Sequence, residues 1–486
     1  MTQSQLALWD GAPPPALATP AEIAAALGLP PPTPEQAAVI AAPAEPALVV
    51  AGAGAGKTET MAARVVWLVA NGFVTPERVL GLTFTRKAAR QLAERVRARL
   101  RRLAGSGLLD RLDPGGGRRA AVLAGEPTVL TYHAYAGRLV SEHALRLPTD
   151  PGARLLTETG AWQFAHRVTA GWEPDLDLDG KVPHTVTGWM LGLAGQLAEH
   201  LRRPDELREC TQALVTALTG APPGPRQRGA LRADLKPVVE RQRARLAILP
   251  LVERYLDLKR RDAVLDFGDQ MSIAAQLARD HPEVGAAERD RFGAVLLDEY
   301  QDTGHAQRVI LRALFGGPEG RGHAVTAVGD PVQSIYGWRG ASASNLPRFA
   351  TDFPSADGTP AARMSLLTSF RNAERILELA NAISGPVRAE PVPVDRLRAR
   401  PGAPEGEVAV GLFERVDQEN AWLAAQIAER WSAATTPPTT AVLLRRRADM
   451  ADVAAALRAV GLPVEVVGVG GLIDEPEVAD VIATLR

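Results

Sequence analysis

The stretch LVVAGAGAGKTET, residues Leu48 to Thr60, puts three glycines, one lysine and two threonines after an apolar run. Backbone N–H groups in such a loop can cradle phosphates, with Lys57 reaching the β and γ oxygens and Thr58 holding Mg²⁺. The lysine is itself informative. The chain has 55 Lys+Arg, yet only five are lysines, so arginine fills almost every basic position where charge alone would serve. A compact ammonium at position 57 is chemically distinct from a planar guanidinium. Ala51 stands where the strict phosphate-loop pattern has its first glycine. A plain Gly-rich strand-to-helix turn is the competing interpretation.

A phosphate loop needs a carboxylate partner. Val295 to Leu297 is an apolar strand that runs into Asp298 and Glu299. An aspartate there can hold Mg²⁺ and the adjacent glutamate can orient an attacking water. An exposed acidic pair closing a strand would look the same. The segments that follow, DEYQDT (Asp298 to Thr303) and VGDPVQSIYGWRGA (Val328 to Ala341), add polar and aromatic residues in an order that an acidic pair alone would not require.

These residues have to be positioned by alternating strands and helices. Ala47–Val50 reads as a buried strand, and Glu59 onward reads as a helix ending at Gly72. Residues 78–85 form a second strand feeding a basic helix, and 128–140 repeat the strand–helix pattern. Residues 105–119 read as a glycine-rich surface loop, and 146–261 as almost wholly helical, with a turn at Pro222 to Pro225. Strands return at 294–300 and 324–330, then at EVAVGLF (407–413) and TAVLLRR (440–446). The expected fold is α/β, with parallel strands whose carboxyl ends gather the ligand loops.

Length, composition and charge set the remaining bounds. At 486 residues the chain is long enough for about three domains. A hydrophobic content of 46% and a charged content of 23% exclude a disordered chain. No apolar run spans a bilayer, and no basic segment precedes an apolar one at the N-terminus, so neither a membrane partner nor a signal peptide is expected. The single cysteine, Cys210, removes internal disulfides and cysteine-based metal sets, which fits a cytoplasmic protein. Net charge is −1, yet Arg86 to Arg102 carries eight basic residues against Glu94 alone. That run reads either as a solvated helix face or as a phosphate-backbone contact.

Taken in order, the motifs resemble those of the UvrD/Rep/PcrA group of superfamily 1 DNA helicases across nearly the whole chain. TPEQ (Thr33 to Gln36) resembles the Q motif, and AGAGAGKT (Ala51 to Thr58) the family phosphate loop, which also accepts alanine first. LTFTRKAA (Leu82 to Ala89), TYHAYAGRL (Thr131 to Leu139), LDFGDQM (Leu265 to Met271) and LLTSFRN (Leu366 to Asn372) resemble further family motifs. Arg86, Ser369 and Phe370 depart from the commoner Asn, Asn and Tyr.

The resemblance implies ATP and Mg²⁺ as cofactors. ATP would lie on Gln36, Ala51, Gly52, Ala53, Gly54, Ala55, Gly56, Lys57, Thr58 and Phe370, with Thr58 and Asp298 on the metal. Lys57, Asp298, Glu299, Gln333 and Arg371 would be the catalytic set. Phe84, Tyr336 and Trp338 would stack unpaired bases, while Thr85, Thr131, His133 and Arg339 would touch the sugar-phosphate track. Phe84 and Tyr132 fit core burial about as well as base contact, and His133 fits core or ligand equally.

The implied partner is single-stranded DNA, or a duplex with a single-stranded tail. The implied activity is 3′-to-5′ helicase action in repair or recombination. A single-strand-binding phosphate-loop ATPase, or a fragment that does not unwind, is the alternative. The implied domains are an Ala/Pro-rich segment (1–32), a RecA-like motor domain 1A (33–145 and 262–345), a helical domain 1B (146–261) and part of a second motor domain 2A (346–486). The chain reads as the N-terminal part of a longer one. Its Ala/Arg-rich style is similar to actinobacterial helicase–nuclease subunits, which implies a second such subunit as a partner.

Overall fold

The computed structural model describes residues 17–147, 150, 152–174, 176, 178, 180–222, 231–342, 344–387, 393–467 and 476–485. The first sixteen residues of the N-terminal segment, and most of the turn expected at Pro222 to Pro225, lie outside them. The chain divides into two units, Met1–Gly406 and Glu407–Arg486.

The first unit is built on six parallel strands: β1 Ala47–Ala51, β2 Val79–Thr83, β3 Thr128–Thr131, β4 Ala294–Leu297, β5 Ala324–Gly329 and β6 Ala362–Leu366. Their order across the sheet is β3-β2-β4-β5-β1-β6. β1, β2, β4 and β5 are buried along their whole length, which parallel strands covered on both faces require. One apolar cluster, with Val65, Trp67, Val96 and Leu100, covers one face. A second, with Tyr132, Leu139, Leu297 and Phe349, covers the other. This mixed α/β body with a six-stranded parallel sheet fits a RecA-like domain.

Several elements differ from the sequence reading. The helix after the glycine loop begins at Lys57 rather than Glu59 and ends at Ala70. Residues 105–119 are not a surface loop. They hold helices Leu108–Leu112 and Gly117–Ala124, and Leu108 and Leu109 are buried in the core. β6 takes the sheet past residue 345 and pairs with β1 from Ala47↔Ala362 to Ala51↔Leu366. Among the described residues, 146–261 hold helices Glu158–Ala170, Pro183–Glu199, Pro204–Gly220 and Lys236–Arg261. A two-residue strand, Arg154–Leu155, pairs with Val264–Leu265 at their base.

A buried arginine fixes the entry to the sheet. The Arg64 guanidinium donates to the carbonyls of Val39, Ile40, Ala42 and Pro43, and its Nε donates to Thr326 Oγ1 at 2.9 Å. Burial lowers its pKa to about 10, and this set of acceptors offsets the desolvation. The helix Pro34–Ile40 is thereby clamped onto the sheet, and its Thr33/Gln36 capping box fixes the other end.

In the second unit, helices Val416–Ala433 and Met450–Ala459 pack around Ala424, Val453, Leu457 and Leu462. The strands expected at 407–413 and 440–446 do not form among the described residues. Val410, Leu412 and Leu443 are instead almost fully exposed; an extended chain with no neighbouring strand has no ladder to join. No helix among the described residues is long and apolar enough to cross a membrane.

Candidate nucleotide and nucleic-acid site

The glycine loop lies at the carboxyl end of β1. Gly54 and Gly56 have φ of 76° and 78°, a left-handed backbone that side chains rarely accept. Crowding reinforces the requirement. A Cβ on Gly54 would stand 2.7 Å from Ser369 Oγ, and one on Gly56 would stand 3.0 Å from Gln36 Nε2. The loop is therefore bracketed by two sequence-distant segments. Ser369 Oγ donates to Ala53 O at 3.0 Å, and Phe370 N donates to Gly54 O at 2.9 Å. Lys57 and Thr58 open the following helix, whose N-terminus favours anions.

Beside the loop is an acidic cluster. Lys57 Nζ lies 3.0 Å from Glu299 Oε2, and Gln301 Nε2 donates to that same oxygen at 2.8 Å. Glu299 has φ of 49°, an unusual conformation for a side chain of this size. Burial first, and the Glu299 charge second, raise the Asp298 pKa to about 6. Asp302 is pushed up to about 6 by the same two causes in the same order. Burial also raises Asp330. These carboxylates crowd around one ammonium, and the buried Oδ1 of Asp302 has no hydrogen-bond partner. A cation would offset this buried negative charge, although no group of three or more His, Cys, Asp or Glu among the described residues is placed to hold a metal ion by itself.

Three members of this cluster carried no role in the sequence reading: Gln301, Asp302 and Asp330. Gln301 is buried, and its Oε1 accepts from Asp330 N at 2.9 Å. Gln333 donates to Asp330 Oδ2 at 2.7 Å. The available signal was their position in the two polar segments after β4 and β5, but the bonds cross between strands.

A cavity of about 390 Å³ opens next to Gly56 and is lined by Leu27, Gln36, Ile40, Trp67, Arg99 and Phe370. Its mostly apolar lining, with the Gln36 amide and the Phe370 ring, can take a flat base. Gln36 Oε1 is already used by Thr33 N at 3.1 Å, which leaves its amide group toward the glycine loop. Arg371 is exposed and its guanidinium has no partner among the described residues.

The aromatic loop carries Tyr336 and Trp338 with ring centroids 6.4 Å apart. The Arg339 guanidinium lies 4.6 Å from the Trp338 centroid and 5.6 Å from that of Tyr336. Trp338 is 75% exposed, which rules out a core role. Phe84 is half-buried against Tyr132, centroids 5.0 Å apart. Tyr132 is a core residue whose hydroxyl donates to Asp298 O at 3.1 Å. No ring contact joins Phe84 to the Tyr336/Trp338 pair among the described residues. Thr85 and Thr131 accept from Ala88 N and Ala134 N, each at 3.1 Å, and so cap their helices. His133 reaches the surface and lies edge-on to Phe267 at 5.8 Å, yet the atoms packed around its ring still desolvate it and lower its pKa.

The basic helix, Arg86–Gly105, answers to internal acids. Arg97 pairs with Glu126 at 3.0 Å and Arg101 with the same residue at 3.8 Å. Arg95 pairs with Glu59 at 3.7 Å, and Arg99 also binds Glu59. The solvated, internally paired face is the better description of these arginines.

Comparison with known proteins agrees with this geometry. The family model for the UvrD/REP helicase N-terminal domain matches residues 32–354. The ATP-dependent DNA helicase UvrD2 of Mycobacterium tuberculosis H37Rv is 30% identical over 460 residues, covering 93% of this chain and 57% of its own. PcrA of Leuconostoc citreum is 27% identical over 352 residues, 72% of this chain and 38% of its own. DNA helicase II of Escherichia coli K12 is 28% identical over 350 residues, 72% of this chain and 39% of its own. The chain thus spans 57% of UvrD2 and less of the other two. With the family model matching well over half of its residues, the chain belongs to the UvrD/REP helicase family.

Proposed function

We propose that this chain binds ATP and single-stranded DNA as part of a DNA helicase that moves 3′ to 5′ in repair or recombination. The supporting observation is a path of polar contacts. It runs from Lys57 through Glu299 and Gln301 to Asp330, the first residue of the loop that presents Trp338. Events at the phosphates and events at the bases would share that path.

In this proposal Lys57 neutralises the β/γ phosphates, Glu299 orients the attacking water and Gln333 senses the γ-phosphate. Arg371 stabilises transition-state charge. Thr58 and Asp298 would hold Mg²⁺, which when bound would neutralise phosphate charge. The base would lie between Phe370 and the Gln36 side of the cavity. Tyr336, Trp338 and Phe84 offer ring faces to successive bases. Arg339, Thr85, Thr131 and His133 would flank the backbone track.

Residues 33–145 and 262–345, together with β6, would be motor domain 1A. Residues 146–261 would be 1B, and residues 346–486 apart from β6 would begin 2A. The family's cycle of cleft opening and closing would move the strand across the aromatic loop. A second helicase–nuclease subunit is the protein partner to look for by co-purification.

ATPase measured on this chain with and without single-stranded DNA tests the proposal. Stimulation by single strands, and by duplex only when a tail is present, is expected. ATPase indifferent to DNA would leave a phosphate-loop ATPase without a motor role.

A further inference from the structure

Glu35 sits beside the adenine-side glutamine and faces away from it. Its Oε2 accepts from Leu367 N at 2.8 Å and from Thr368 N at 3.3 Å, with Thr368 Oγ1 at 3.5 Å. Its Oε1 takes the Arg398 guanidinium. Leu367 and Thr368 lead directly into Ser369, Phe370 and Arg371. Thr368–Ser369 also pairs in parallel with Arg398–Ala399, so the Glu35 carboxylate holds both strands of this small ladder at once. The other end of the segment is tied to the glycine loop through Ser369 Oγ and Phe370 N.

The support beneath Glu35 is rigid. It lies in the first turn of the Pro34–Ile40 helix, whose far end is clamped by buried Arg64. Gln36, one residue on, approaches Gly56. One helical turn therefore approaches the glycine loop through Gln36 and holds, through Glu35, the Leu367–Thr368 stretch that leads into Phe370 and Arg371. A carboxylate suits this place because it accepts several donors, one of them cationic. A glutamine would keep one acceptor oxygen but turn its NH₂ toward a donor.

We propose that Glu35 is a positioning residue that sets Arg371 over the phosphates and couples its placement to the base-side wall of the nucleotide site. The role of Arg371 in this inference rests on the proposed function. The contact itself does not.

Two measurements on the whole chain test it. Hydrogen exchange of wild type and Glu35→Gln reads the contact: the Leu367 and Thr368 amides should exchange about tenfold faster in the variant, with the core strands unaffected. DNA-stimulated ATPase of wild type, Glu35→Gln, Arg371→Ala and the double variant reads the coupling. Glu35→Gln should lower kcat about tenfold in the wild-type background and less than about twofold in the Arg371→Ala background. The half-saturating DNA concentration should stay put. Equal losses in both backgrounds would overturn the coupling through Arg371. Unchanged amide exchange would overturn the inference as a whole, whatever the ATPase does. A wild-type chain with no DNA-stimulated turnover would instead count against the proposed function, and exchange would still decide the contact.

Discussion

The Lys57 ammonium and the Glu299 carboxylate are 3.0 Å apart, although 242 residues separate them in sequence. In this state the group proposed to bind phosphate neutralises the group proposed to activate water. If phosphate draws Lys57 away, Gln301 still holds Glu299 Oε2, at 2.8 Å.

Substitutions at the two ends of this pair should therefore behave differently. Lys57→Ala removes the phosphate contact and should weaken nucleotide binding. Glu299→Gln removes a competing anion, so ATP should bind at least as tightly while turnover falls on the order of 10²–10⁴-fold. Fluorescent-nucleotide titration and single-turnover hydrolysis check both. Equal nucleotide affinity for wild type and Lys57→Ala would argue against the phosphate-loop assignment.

Trp338 is exposed and stacked on Arg339, so its removal should leave the core intact. Trp338→Ala should cost about 1–3 kcal/mol in single-strand affinity. Melting temperature and nucleotide binding should hold. A lowered melting temperature with unaltered DNA affinity would reverse this assignment.

The arginines of the basic helix give the opposite expectation. Arg95, Arg97 and Arg101 are engaged by Glu59 and Glu126, so converting them to glutamine should leave the salt dependence of DNA binding unchanged. A slope reduced by about 0.7 per residue would show that they do meet phosphates.

His323 supplies a test in acid. Burial, with Arg289 nearby, lowers its pKa to about 4, and its buried Nε2 has no hydrogen-bond partner. The unfolded chain, with an ordinary imidazole near 6.5, takes up the proton first. Stability from this residue is thus fully present above about pH 6.5 and is lost as pH falls toward 4. The loss is about 3 kcal/mol over that window. Asp298 and Asp302 act in the opposite sense: with pKa values raised to about 6 in the fold, they are protonated there before they are in the unfolded chain, so their protonation favours the fold as pH falls below about 6. The comparison of wild type with His323→Gln isolates the histidine: the variant's melting temperature should fall less between pH 7 and pH 5. Parallel curves would contradict the assignment.

The glycine loop, the Asp298–Glu299 strand end and the aromatic loop were legible because each joins an apolar run to polar residues within one short segment. Gln301 and Asp330 were not, because their roles arise from bonds between β4 and β5 loops. Sequence spacing carries no trace of such bonds. The helix at Leu108–Leu112 was hidden for a related reason: flanking glycines read as a loop, while burial of Leu108 and Leu109 decides the outcome. The charge run left two readings open because Glu59 and Glu126, which pair with Arg95, Arg97, Arg99 and Arg101, reach it from other elements. The segments at 407–413 and 440–446 have strand-like composition, yet a strand also needs a neighbour.

The left-handed backbone of Glu299 sets stability against turnover. A glutamate held at φ of 49° carries a strain on the order of 1–3 kcal/mol, and a glycine or asparagine at that position would relax it. Any selection that scores this protein by heat resistance alone will therefore favour those residues there. It will enrich robust, well-folded chains that have lost the proposed water-activating group, and only an assay that counts released phosphate will tell them from the original.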